Sequence, residues 1–220
     1  MLQSELSVTI EIKNRLDLHD DFGIFVRAMD FIELKKKLYA IYNGFENEIR
    51  EYRRNAVCGL GCSFCCTYMG NVDITTLEGW VIREHIRTMP GPAWSDLVRR
   101  ITGNKQAKEK GGKPGCPFQD DNGACLIYEF RPFSCRQLYS LRKCDQDGPL
   151  IHRAAVLTAR KTVRRIQALD HTGYSGHISY ILFLLDNRNF RKVYMSGSFK
   201  PEAISKFGQA HGVIINRYAK

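Results

Sequence analysis

Residues 58–66 read Cys58-Gly59-Leu60-Gly61-Cys62-Ser63-Phe64-Cys65-Cys66, four thiols in nine residues. Thiolates packed this closely repel one another and oxidise readily unless a soft metal takes up their charge. A second set follows at wider spacing, Cys116, Cys125, Cys135 and Cys144, so that every cysteine of the chain lies between positions 58 and 144. From Cys116 to about Pro149 there is no sustained hydrophobic period and there are many turn residues, the mark of irregular chain organised by its cysteines. The expected fold is therefore mainly α, a single domain in which helices frame an irregular cysteine-rich metal-binding core.

The flanking sequence supplies the helices. Leu38, Ile41, Tyr42, Phe45, Ile49 and Tyr52 recur at steps of three and four, which predicts an amphipathic helix from near Phe25 up to the cluster. Asp73-Ile74-Thr75-Thr76 precedes an apolar-periodic run that Pro90-Gly91-Pro92 closes, a second helix with a cap at its start. Residues 93–102 suit a short helix, and the Gly- and Lys-rich stretch 103–115 reads as a mobile loop between the two cysteine sets. Ala155, Ala159, Thr162, Ile166 and Leu169 make one helical stripe, with Arg153, Arg160 and Arg164 opposite. A last helix is expected over about 176–194 with Ile178, Ile181, Leu182 and Leu185 inward. Strand signal is confined to Val8, Ile10 and Ile12, for which Gly212-Val213-Ile214-Ile215-Asn216 could be a partner, giving at most one small two-stranded β element.

A chain of 220 residues is long enough to bury a full core, so metal is not needed merely to offset small size. The organisation expected is one domain over 1–220, with a cysteine-cluster core at 58–144 and a basic helical part at 149–220. The N-terminal stretch has scattered charge and no continuous apolar core, and the longest apolar run, Ile181 to Leu185, is too short to span a bilayer. The expectation is a soluble, cytoplasmic protein, a compartment in which structural disulfides are rare. The net charge of +10 is uneven: residues 142–220 hold 14 Lys+Arg against 5 Asp+Glu, and residues 1–141 hold 19 against 18. A basic C-terminal third suits an acidic protein or nucleic acid as partner.

Thiolates suit zinc and iron–sulfur clusters, four per site in either case. Eight cysteines can complete two four-thiolate sites, or one cluster with several cysteines left for other work. Adjacent side chains diverge, so Cys65 and Cys66 are awkward ligands for one small ion. The second set lacks the paired two-residue spacing of simple zinc modules, and the close clustering of the first set favours an iron–sulfur cluster over Zn2+. The candidate metal ligands are Cys58, Cys62, Cys65, Cys66, Cys116, Cys125, Cys135 and Cys144.

In the second set the elements Cys116-Pro117, Cys125-Leu126-Ile127-Tyr128 and Arg131-Pro132-Phe133-Ser134-Cys135-Arg136 stand in order. With residues 58–66 they resemble the cysteine-cluster proteins known as the CxxCxxCC or YkgJ-type family, over roughly positions 58–144. One departure is that the first gap, Gly59-Leu60-Gly61, holds three residues where the family name implies two. The resemblance implies a zinc- or iron-chelating protein of undefined biochemical role. Flagellin lysine N-methylases are similar in the cysteine motif. Read from the residues, Pro117 and Pro132 fix the backbone beside ligands. Arg131 and Arg136 flank Cys135 and are candidates to neutralise an anionic cofactor and donate hydrogen bonds to sulfur.

A different function class is also open. Cys58, Cys62 and Cys65 have the spacing of the radical S-adenosylmethionine enzymes, in which three cysteines hold a four-iron, four-sulfur cluster. That motif follows the first strand of a β/α barrel, whereas the residues before Cys58 read as a charged helix. The alternative reading is thus an iron–sulfur-dependent modification enzyme of the radical or methyl-transfer kind. No histidine pair has metal-binding spacing. His85 falls inside a predicted helix, and His171 and His177 flank a Gly-rich turn.

Overall fold

A computed structural model describes residues 21–59, 61–145, 147–197 and 214–216. It is mainly helical. The long first helix, α1 (Asp21–Glu48), and a short continuation, α2 (Arg50–Arg53), lead to the first cysteine set. Leu38, Tyr42, Phe45 and Ile49 are buried along one face, as their spacing requires, while Tyr52 at the end of the stripe is exposed. Strand β1 (Asp73–Thr75) then runs directly into α3 (Thr76–Ile86). Thr75 accepts from the Glu78 backbone N–H and Glu78 accepts from the Thr75 N–H, a reciprocal cap that fixes where the helix begins.

Helix α3 is apolar on two sides and separates two cores. Leu77 and Val81 pack with Tyr42, Phe45, Phe133, Ala155 and Ile166. Ile82 and Ile86 pack with Leu97, Ile101, Ile181 and Leu185. Gly79 lets α3 approach its neighbour: a Cβ there would lie 2.7 Å from Ile181 Cγ2 and 2.9 Å from Leu185 Cδ1. A methyl group at Gly79 would overfill this contact and cost about 1–3 kcal/mol.

Three sequence expectations change. Residues 103–109 are not loop but the second half of α4 (Gly91–Glu109). Their side chains hold the helix to its surroundings: Asn104 is buried, bonded to Gly115 O at 2.7 Å and to the Ser179 hydroxyl, and Lys105 lies over the Phe183 ring. The expected last helix is two, α7 (Ile178–Asp186) and α8 (Arg188–Ser196). Asn187 breaks them, because its side chain accepts from the N–H groups of Asn189 and Phe190 and so starts α8 afresh. The sheet is three-stranded and antiparallel in the order β1, β2 (Tyr174–His177), β3 (Ile214–Ile215). Register pairs Ile74 with Gly176 and Ser175 with Ile214. The partner of the C-terminal strand is therefore β2, and Val8, Ile10 and Ile12 lie outside the described residues.

Two helices remain. The one-turn helix α5 (Phe133–Arg136) carries Cys135. Helix α6 (Arg153–Leu169) lies against α1, burying Ala155, Ala159, Thr162 and Ile166 of the predicted stripe together with Thr158, while Leu169 at its end is half-buried. No described helix is long and apolar enough to cross a membrane.

Candidate metal centre

The first cysteine set is placed by what surrounds it. Val57 donates its backbone N–H to Ser140 O at 2.8 Å, which ties the approach to Cys58 to the segment leading to Cys144. Beyond Cys62 the chain makes a single π turn, Cys65–Met69, ended by Gly70 at φ 58°. That left-handed conformation is open to glycine at no steric cost. Consecutive positions on a helical turn face different directions, so Cys65 and Cys66 diverge.

The second set comes to the first through backbone and core. The Cys116 N–H donates to Cys66 O at 2.7 Å. Lys108 on α4 donates to Gly70 O at 3.2 Å, and Asn104 one turn earlier holds Gly115 O. Helix α4, in part the expected loop, thus clamps both sets. Each of Cys116, Cys125 and Cys135 lies two residues from a buried anchor: Phe118, Ile127 and Phe133. Phe118 and Ile127 enter one core and Phe133 the other. A small cavity of about 10 Å³ is lined by Cys65, Cys66, Cys116 and His177 among others, room for one water.

The electrostatics of the thiols sort them into two neighbourhoods. Burial raises the Cys58 thiol, and the thiols of Cys62 and Cys144 raise it further against a backbone hydrogen bond from Ser140. Cys65 is pushed up to about 11 by burial and then by Cys144, Cys58, Cys66 and Cys62. In the other neighbourhood, a hydrogen bond with Cys116 lowers Cys66 to about 7, and the same bond together with burial drives Cys116 up. Burial raises Cys125, with Cys66 adding to it while the Ile127 backbone and Arg131 oppose. Burial raises Cys135, followed by Cys125 and Cys66.

One neighbourhood is Cys58, Cys62, Cys65 and Cys144, with Cys65 at its border, since Cys66 raises it too and the two line one cavity with Cys116. The other is Cys66, Cys116, Cys125 and Cys135. Cys58 and Cys62 are exposed, the other six are half-buried, and all eight are free thiols. Among the described residues, no three His, Cys, Asp or Glu side chains stand in an arrangement that would already hold a metal ion. The thiols gather without closing on a point. Three of them receive a backbone hydrogen bond, Cys58 from Ser140, Cys116 from Phe118 and Cys125 from Ile127. Such bonds favour the thiolate.

Arg131 and Arg136 have different surroundings. Arg131 lies over the Tyr128 ring at 3.9 Å, and its charge lowers Cys125 and Cys135. The Arg136 guanidinium is taken up by Glu46 at 3.1 Å, Glu129 O at 2.8 Å and Arg131 O at 2.9 Å, and it sits over Tyr42. It locks the Cys135 turn to α1. Of the histidines, His85 stacks on Phe130, and His177 lines the cavity with its Nε2 3.3 Å from Gly70 O.

Two buried carboxylates, one at the site and one in the frame behind it, were not singled out from sequence. Glu78 accepts from the Tyr42 hydroxyl at 2.6 Å and from the Phe133 N–H at 2.8 Å, which seats the turn bearing Cys135. Its signal was Thr75-x-x-Glu78, the pattern of a capping box. Asp170 accepts from the Leu77 N–H at 2.9 Å, the Tyr194 hydroxyl at 2.8 Å and the Asn216 amide at 3.2 Å. Burial outweighs these donors and pushes its carboxyl up to about 7. No sequence pattern announces it.

Comparison of the chain with models of protein families, with curated proteins and with solved structures finds no match.

Proposed function

We propose that this is a metal-binding cysteine-cluster protein whose eight thiolates hold metal in two groups of four, iron–sulfur being the first choice and Zn2+ the second. The observation that carries the reading is the reciprocal sorting of the thiols. One group takes three cysteines from residues 58–66 and one from the second set; the other takes one and three. Four thiolates are the usual complement of a zinc site or an iron–sulfur cluster. The split also gives the adjacent Cys65 and Cys66 separate duties.

The chemistry of the donors suits such a centre. Thiols whose ionisation is opposed by burial and by one another become favourable ligands once a cation balances their charge. Backbone N–H groups at Cys58, Cys116 and Cys125, and the Arg131 charge beside Cys125 and Cys135, would stabilise the ligated sulfurs. The motif match over positions 58–144 supports placing the chain with the CxxCxxCC proteins. Eight unpaired thiols suit a reducing compartment, and we place the protein in the cytoplasm on that ground.

The test is anaerobic purification followed by metal and acid-labile sulfide analysis with a visible spectrum. Iron with sulfide, in a brown protein that bleaches in air, is expected. A colourless preparation with stoichiometric zinc and no sulfide would keep metal binding and overturn the choice of iron–sulfur. Metal-free protein with eight titratable thiols would overturn both.

A further inference from the structure

We propose that the exposed face of α6 is a docking surface for the phosphate backbone of a single-stranded nucleic acid. The residues of α6 include Arg153, Arg160, Lys161, Arg164 and Arg165 and no Asp or Glu. All five cationic side chains are exposed, and no ion pair or side-chain hydrogen bond reaches any of them among the described residues.

A merely solvated helix face carries mixed charge, because like charges four residues apart cost about 0.2–0.5 kcal/mol per pair. Here Arg160 with Arg164 and Lys161 with Arg165 are two such pairs, and no carboxylate on the helix offsets them. At 100° per residue Arg153, Arg160 and Arg164 fall within about 40° of one another, and the helix extends about 25 Å. The result is a straight stripe of guanidinium groups at intervals of about 6–10 Å, comparable with the spacing of successive phosphates. Four of the five cations are Arg, whose planar fork binds phosphate bidentately.

The neighbouring surface points to a single strand rather than an acidic protein. Where α2 meets the start of α6, Tyr52 and His152 stack with ring centroids 4.5 Å apart and an interplanar angle of 7°, and both are exposed. They form an aromatic platform on which a base could stack, the usual companion of a basic track in single-strand binding. Arg50, Arg53 and Arg54 stand beside it against Glu51 and Glu48, the latter accepting from the Thr158 hydroxyl of α6 at 3.0 Å, and leave the surface net positive. This surface does not depend on the metal reading.

The experiment uses the full chain and a labelled single-stranded oligouridylate of about 16 nucleotides, a length matched to the larger known single-strand sites. Anisotropy titrations across a salt series compare three proteins: wild type; a variant with R153Q, R160Q, K161Q and R164Q; and a control with K110Q, K113Q, R188Q and K192Q, four exposed cations elsewhere. Wild type should bind with affinity that falls steeply with salt. The α6 variant should lose at least tenfold and its log–log salt slope should flatten by about 3, with circular dichroism unchanged and melting not lowered. The control should stay within about twofold. Absence of binding by wild type at low salt, equal loss in both variants, equal affinity for a duplex, or displacement by polyglutamate as tight binding competitor would each overturn the proposal, the last in favour of an acidic protein.

Discussion

The two thiol neighbourhoods differ in what holds them. Cys116, Cys125 and Cys135 are each two residues from a side chain sunk in a core, and Cys66 is tied to Cys116 through the backbone. Cys58 and Cys62 are exposed, and Cys144 lies four residues beyond the buried Ser140, whose carbonyl accepts from the Val57 N–H at 2.8 Å and whose hydroxyl accepts from the Leu150 N–H at 2.9 Å. The Cys66 group is thus enclosed, each of its second-set members standing beside a buried anchor, whereas the Cys58 group lies nearer the rim, with two exposed thiols and only Cys144 following a buried segment. Metal in the enclosed group would therefore be coupled to global stability, while metal in the rim group would chiefly order its own segment.

The widest separation should come from serine substitution. C135S is expected to lose the metal of the enclosed group and to destabilise the protein by about 3–5 kcal/mol, a fall of about 10 °C in Tm for a chain of this size. C62S should lose the rim metal with a fall of only about 3 °C. Metal analysis and calorimetry of both variants check this, and equal falls would erase the distinction.

Phe118→Ala asks whether the anchor, rather than the sulfur, fixes the enclosed group. Phe118 is fully buried in the core of α3, α4 and α7. Its truncation should cost about 3–5 kcal/mol and lower metal occupancy in the enclosed group alone, read by unfolding in urea and by metal content. Equal loss from both groups would show that they are one unit.

Asp170 gives a pH-dependent control that lies in the frame. Its folded carboxyl is held up to about 7 by burial, against an ordinary value of 3.8. A group whose folded pKa is raised contributes stability that is full below the unfolded value and is lost as pH rises through the folded one. Wild-type Tm should therefore decline between about pH 4 and about pH 7 by more than that of D170N. Parallel curves for the two proteins would remove Asp170 as the source.

The smallest effect on stability is expected at Arg131. R131Q should move Tm by less than about 0.5 kcal/mol equivalent yet slow alkylation of Cys125 and Cys135 near neutral pH, since their thiolates lose a nearby cation. R136Q, which breaks the Glu46 pair and two carbonyl contacts, should destabilise by about 1–3 kcal/mol. Thiol-reaction rates and Tm values of the two variants separate a charge role from a structural one.

What was legible in sequence follows from periodicity. The buried faces of α1, α3 and α6 each repeat at three and four residues, and the eight cysteines announce soft-metal chemistry by density. The second half of α4 was hidden because its stripe is polar: Asn104, Lys105 and Lys108 hold it through an amide, a cation over a ring and a carbonyl bond, none of which periodicity detects. Strand β2 reads Tyr174-Ser175-Gly176-His177, too short and too polar to signal a strand, and takes its identity from β1. The sorting of Cys65 from Cys66 was open in sequence as one of several outcomes. It depends on the Cys116–Cys66 backbone contact, a tertiary fact. Asp170 was invisible because its partners, Leu77, Tyr194 and Asn216, are far away in the chain.

The central claim, two groups of four thiolates divided between Cys65 and Cys66, is tested most directly by native mass spectrometry of the anaerobically prepared protein beside the C58S/C144S variant. The account predicts two metal centres in wild type and retention of one in the variant. A wild type without metal, or a variant that loses all of it at once, would contradict it.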